Sequence, residues 1–255
     1  MAPPVLLMIV AAAAAGAIVG SFLATLMVRW PAGRDLSGRS RCDGCGRPIG
    51  AAALVPLLSY AVQRGRCRAC GARIDPRHPA IELGAAIIGA LALAIAPGLA
   101  GAAGAVFGWL LLTLAILDLE HFWLPDRLTV ALGTAGLAAG LVGVDPPLTT
   151  RLIGGLAGFG MLAGIASLYR RVRGREGLGQ GDPKLLAAIG LWLGWPALPF
   201  VLLGASLTGL MAVAAVRLRG RRFGAADRLP LGTLMAVAAW AWWCIAASET
   251  VTIPQ

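Results

Sequence analysis

Residues 106–118 read VFGWLLLTLAILD, an apolar run that ends on a carboxylate. A helix of this kind has no polar face to turn toward water, so it belongs in a protein interior or in lipid. The rest of the chain has the same character. Its 255 residues are 58% hydrophobic and 13% charged, with a mean hydropathy of +0.78. A soluble domain carries about a quarter charged residues. Such a chain cannot cover a globule with polar surface, so the expected fold is an all-α polytopic membrane protein.

Working outward from that run, the first apolar segment spans about 5–28. No positive residue precedes it, whereas Arg29, Arg34, Arg39 and Arg41 follow. A cleaved signal has the opposite charge order and a shorter apolar core, so this segment reads as a retained anchor with its N-terminus outside. Further apolar segments lie at about 81–97, 101–118, 128–143, 151–169, 184–195, 197–216 and 230–247, giving about eight transmembrane helices. This arrangement puts 21 of the 22 Lys and Arg on the cytoplasmic side, with only Arg151 outside. The net charge of +10 is thereby a topology signal. Its clusters lack interleaved aromatics, so lipid is the expected partner and nucleic acid is not. The segment 184–195 is short against the roughly 20 residues a bilayer needs, and Gly-rich sequence and Pro196 flank it. Glycines inside apolar segments, such as Gly154, Gly155 and Gly158, read as close helix packing.

Residues 29–80 form the one long polar stretch, between a first helix at 1–28 and a multi-helix membrane domain at 81–255. It holds Cys42, Cys45, Cys67 and Cys70 as two CxxCG pairs, and the echo CxxCGxxI runs from Cys42 to Ile49 and from Cys67 to Ile74. Cytoplasmic disulfides are rare, so metal binding is the better reading. Four thiolates in two knuckles make a closed tetrahedral zinc site of structural type, with rubredoxin-type iron as the rival. A polar domain of this size has little core, and a metal contributes folding free energy directly. Cys244, in the last apolar segment, reads as a small buried hydrophobe.

The chain has twelve acidic residues, so their positions carry information. Asp35, Asp43, Asp75, Glu176 and Asp227 lie in basic loops, where solvation is a sufficient explanation. Glu82 begins the second span as an interfacial or a functional group. Asp118 sits at the cytoplasmic edge of the third span, where a carboxylate is costly and usually functional or partnered. Asp182 follows Gly179 and Gly181 and precedes Pro183 and Lys184; the glycines permit unusual backbone conformations and close approach, and the Asp-Pro order also fits a helix N-cap. Two aspartates brought together share one proton, one serving as base toward water and the other as acid toward a carbonyl. With only His78 and His121 in the chain, a Ser-His or Cys-His mechanism has little to build on.

The motifs together resemble the bacterial prepilin peptidases (type IV leader peptidases). The likeness is carried by Gly20-Ser21-Phe22-Leu23 through Arg29-Trp30-Pro31, the paired CxxC domain, Asp118 through Leu124-Pro125-Asp126, and Gly179-x-Gly181-Asp182-x-Lys184, over about 16–215. The resemblance implies a GxGD-type intramembrane aspartic peptidase of the inner membrane with Asp118 and Asp182 catalytic and Asp126 not. It implies prepilin and pseudopilin substrates of type IV pili and type II secretion, cut after Gly at the cytoplasmic face. It also implies N-methylation of the new N-terminus with S-adenosylmethionine. On that second activity the chain departs from the family pattern. Ala24 replaces an Asn, and Ala53-Leu54-Val55 replace the Asp-Asn-Ile that precedes Pro56-Leu57-Leu58-Ser59. Two other classes compete: a transporter using the membrane carboxylates, and a zinc-anchored scaffold of a pilus or secretion machine.

Overall fold

The computed structural model describes residues 3–34, 38–220 and 229–252. Asp35 and Asp227, expected as solvated loop charges, lie outside the described residues. The regular structure there is helical: α1 (Pro3–Arg29), α2 (Leu58–Val62), α3 (Arg77–Ile95), α4 (Leu99–His121), α5 (Asp126–Leu141), α6 (Leu148–Arg173), α7 (Asp182–Leu193), α8 (Leu198–Leu218) and α9 (Leu231–Thr252). Each of the eight expected apolar segments coincides with one helix. Six of them are long and apolar enough to cross a membrane: Val5–Arg29, Arg77–Ile95, Leu99–His121, Leu148–Arg173, Trp195–Leu218 and Leu231–Glu249. The other two are α5, of 16 residues, and α7, of 12.

The described residues divide into two compact units, 1–109 and 110–255. In the first, α1 and α3 pack so closely that a methyl group on Gly16 or Gly89 would meet the facing backbone, and one on Gly20 would lie 2.7 Å from Glu82 Cα. Trp109 donates its indole N–H to the Ala85 carbonyl at 2.8 Å, tying the middle of α4 to α3. The polar segment between α1 and α3 carries the four cysteines.

In the second unit α7 lies between α5 and α6. A methyl group on Gly136 of α5 would come 2.7 Å from the Leu191 carbonyl, and one on Gly158 of α6 would come 2.7 Å from that of Leu186. Eight of the twelve residues of α7 are buried, which explains how so short a helix persists. It is about 18 Å long against roughly 30 Å of hydrocarbon, and protein neighbours replace lipid around it. The packing reading of the interior glycines therefore holds at Gly154, Gly155 and Gly158, which are buried in α6.

Arg151 has a different role from the one its charge alone indicated. It is 1% exposed and donates to six backbone carbonyls: Gly136, Val144, Asp145, Pro146, Leu191 and Trp192, at 2.7–3.1 Å. Those of Leu191 and Trp192 belong to the C-terminal end of α7, where the helix leaves carbonyls without partners and the local field favours a cation. The one Arg that broke the charge pattern is thus a structural staple joining α5, α7 and the loop before α6. Replacing it by Met is expected to leave these carbonyls unsatisfied and cost at least ~3 kcal/mol. The check is a drop in thermal unfolding temperature in detergent, larger than for Arg151→Lys.

Candidate active site and metal centre

Asp118 lies near the C-terminal end of α4 and Asp182 is the first residue of α7; each is 6% exposed. Although 64 positions separate them in sequence, they come close enough for their charges to interact. Leu124, in the turn after α4, marks their common neighbourhood. A methyl group built on Gly181 would touch its Cβ at 2.8 Å. One built on Gly232 would lie 2.9 Å from its Cδ1 and 2.9 Å from Asp118 Oδ2.

The hydrogen bonds of the two carboxyls differ. Asp118 Oδ2 accepts the Thr233 N–H at 2.8 Å and lies 3.2 Å from the Thr233 hydroxyl, and the Gly232 N–H is close to this carboxyl. Asp182 Oδ2 accepts one bond, from the Gly179 N–H at 3.0 Å. That bond runs back into the glycine loop, so Asp182 does not serve as an N-cap for α7. Pro183 stands in the first turn of the helix as expected. The two glycines are needed for space and not for dihedral freedom. Neither has a positive φ, but a methyl group on Gly179 would lie 3.0 Å from Asp182 Oδ2.

Asp126 stands apart from this pair. It is exposed at the start of α5 and forms an ion pair with Lys184 Nζ at 2.6 Å, linking the N-terminal ends of α5 and α7. Glu82 is buried in the first unit, where its Oε2 accepts the Leu57 N–H at 2.8 Å. Leu57 has φ +59°, a conformation costly for a branched side chain, and the Glu82 bond helps to hold it. Thr233 and Gly232 did not emerge from the sequence. The signal available was a Pro-x-Gly-Thr string at the head of the last apolar segment, and a hydroxyl there is unremarkable in a membrane helix.

The four cysteines of the first unit form one cluster, with all sulfurs within 4.8 Å of one another. The two knuckles are built alike, shifted by 25 positions. Gly46 N–H bonds the Cys42 carbonyl at 2.8 Å, as Gly71 N–H bonds that of Cys67 at 2.9 Å. Bridges Arg41–Pro48 and Arg66–Arg73 repeat the shift. Both glycines are left-handed, Gly46 at φ +69° and Gly71 at φ +73°, as the tight turn requires. The N–H groups of Ala69 and Cys70 hold the Cys67 thiol down to about 6. Cys70 receives a lowering bond from Ala72, yet its neighbouring thiols and burial push it up to about 11. Four thiolates at this spacing repel one another unless a cation lies between them.

The donor set fits zinc. Metal–sulfur bonds of about 2.3 Å in a tetrahedron place the sulfurs roughly 3.8 Å apart, and Cys42 and Cys70 are 3.8 Å apart. Cys244 lies on α9, away from this cluster in sequence and half-buried.

The fold and site define a class: a helical multi-pass membrane protein with two interacting buried aspartates and a separate four-thiol centre. Comparison with known proteins makes the class specific. Residues 14–96 match the bacterial peptidase A24 N-terminal domain, and residues 105–216 match the type IV leader peptidase family. The chain is 41% identical over 204 residues to a prepilin leader peptidase/N-methyltransferase of Aeromonas hydrophila, covering 79% of this chain and 70% of that protein. A namesake from Pseudomonas putida is 37% identical over 206 residues, covering 79% and 70%. Another, from Pseudomonas aeruginosa, is 34% identical over 252 residues, covering 88% and 86%. No solved structure matches the chain. The chain belongs to the type IV leader peptidase family, and it is an enzyme of that family.

Purified protein is expected to carry one equivalent of zinc by elemental analysis, without the visible absorption of an iron–thiolate centre. Cys67→Ser is expected to reduce the metal content and lower the unfolding temperature.

Proposed function

We propose that this chain removes the short basic leader from type IV prepilins and type II secretion pseudopilins. Cleavage falls after Gly at the cytoplasmic membrane face, with Asp118 and Asp182 as the catalytic pair. The observation that carries this reading is the burial of two interacting carboxyls at the meeting of the two family motifs. The charge distribution supports the orientation, with the N-terminus outside and both aspartates near the cytoplasmic edge. In the same reading all eight apolar helices are membrane elements, with α5 and α7 the short ones. Residues 29–80 form a cytoplasmic four-cysteine domain between the first helix at 1–28 and the peptidase domain at 81–255.

The chemistry follows from one proton shared between two carboxyls. The ionised aspartate takes a proton from water as the water oxygen bonds to the scissile carbonyl carbon. The protonated aspartate gives its proton to the carbonyl oxygen, leaving a neutral tetrahedral diol. Return of a proton to the amide nitrogen, with collapse of the diol, breaks the C–N bond. The products are the leader with a new carboxyl group and the mature chain with a free amino group. Each carboxyl is only 6% exposed, and removal from bulk water strengthens each charge interaction.

The relatives named peptidase/N-methyltransferase support a second activity, methylation of that amino group. A cleft in the first unit brings Arg29, Arg41, Tyr60, Asp75 and Glu82 around one space. Cationic and anionic groups side by side suit a zwitterion such as S-adenosylmethionine, which when bound supplies a sulfonium methyl group. Zinc at Cys42, Cys45, Cys67 and Cys70, a closed structural site, would hold the loops that border this cleft.

The test mixes wild type, or an Asp182→Ala variant of equal thermal stability, with a prepilin bearing a Gly-Phe junction in detergent. Mass spectrometry should show the leader removed at that junction by wild type. The variant should be slower by at least ~10²-fold. Wild type leaving several such substrates intact would end the peptidase reading.

A further inference from the structure

On the reading that Asp118 and Asp182 form the catalytic pair, we propose that Gly232 and Thr233 are positioning residues that keep Asp118 as the ionised member. The proton of the pair then rests on Asp182. The assignment comes from the unequal surroundings of the two carboxyls. Asp118 meets donors at the first turn of α9: the Thr233 N–H bonds it, the Thr233 hydroxyl lies beside it, and the Gly232 N–H is close by. Those N–H groups belong to the turn of a helix that has no internal acceptors for them, and the helix end favours a negative charge. A carboxylate can accept all of these bonds. A protonated carboxyl needs an acceptor for its own hydrogen. Among the described residues Asp182 has one donor, Gly179, and it faces the charge of Asp118.

Thr233 does this through its backbone, with the side chain as anchor. Its hydroxyl has a single proton and reaches the Ala115 carbonyl of α4 at 2.8 Å, closer than Asp118 Oδ2 at 3.2 Å. The bond to Ala115 pins the head of α9 against α4 one turn before Asp118, which holds the Thr233 N–H on the carboxylate. Gly232 supplies the room. A methyl group there would sit 2.9 Å from Asp118 Oδ2 and 3.0 Å from its Cγ, so any larger residue displaces the carboxyl itself. Both residues lie beyond the stretch 105–216 that matches the family, and no motif marked them.

Among the described residues, the other charged groups on α4, α5, α7 and α9 are Glu120 and His121 on α4, Asp126 and Arg127 on α5, Lys184 on α7 and Glu249 on α9, all exposed. Glu120 pairs with His121 and Asp126 with Lys184. Asp182 is the buried titratable group that feels the charge of Asp118.

The test measures kcat and KM for prepilin cleavage across pH for wild type, Thr233→Val, Thr233→Ser, Gly232→Ala and Asp182→Asn, with thermal stability as the folding control. Thr233→Val and Gly232→Ala are expected to lower kcat about tenfold with KM nearly unchanged. Loosening a bond to the ionised form makes the carboxylate harder to form, so the acid limb of the kcat profile should move up by about one pH unit. Thr233→Ser should restore the wild-type profile. A fall in kcat without movement of the acid limb, or a Ser variant no better than Val, overturns the inference. Asp182→Asn separates the two claims: an active variant removes the dyad beneath this inference. An inactive one, beside a Thr233→Val enzyme with the wild-type profile, removes the inference alone.

Discussion

A carboxylate taken out of water must find its partners in the protein, and the second unit is arranged around two that do. Water solvates an ionised aspartate with several donors, and losing them costs several kcal/mol unless they are replaced. At Asp118 the replacement comes from α9, whose first-turn N–H groups have no acceptor within the helix. At Asp182 it comes from the glycine loop before α7. The chain thus devotes one helix start and one loop to two side chains. That provision distinguishes the pair from Asp126, which stays in solvent with Lys184 beside it.

Close backbone approach makes the arrangement possible. Lipid provides no hydrophobic drive between helices, so contact depends on shape. Glycines at 136, 154, 155 and 158 let α7 enter between α5 and α6, and Asp182 at its head is near enough to feel the charge of Asp118. Arg151 fastens the far end of α7. Its six carbonyl partners do the work a counter-ion would otherwise do, and they tie a short helix that lipid alone would not hold. The first unit uses the same close approach between α1 and α3, while its polar segment gathers four sulfurs, a donor set that suits a metal, where an apolar core would otherwise be.

How much of this was legible in sequence depended on how rare a residue is in its setting. A carboxylate closing an apolar run, and four cysteines in two knuckles, stand out against a hydrophobic background; Asp118, Asp182 and the tetrad were visible for that reason. That Asp182 feels the charge of Asp118 is a tertiary property that no local spacing encodes, and only the family resemblance implied it. Thr233 stayed hidden because its contribution is made by a backbone N–H, which every residue but proline carries. Arg151 was visible as an exception to the charge pattern, but its carbonyl partners come from three separate stretches. Gly179 and Gly181 suggest dihedral freedom first, whereas the structure uses them for the space beside Asp182 and Leu124. The segment 184–195 is too short for an ordinary span, and its burial by α5 and α6 accounts for that.

The central claim is that Asp118 and Asp182 act as one acid–base unit. The most direct measurement compares single-turnover cleavage by Asp118→Asn, Asp182→Asn and the double variant, each folded and metal-loaded. Members of one unit lose nearly everything when either is removed, so the account predicts two equally disabled single variants and a double variant no worse. A single variant that keeps substantial cleavage, with the double variant losing the product of the two effects, would contradict it.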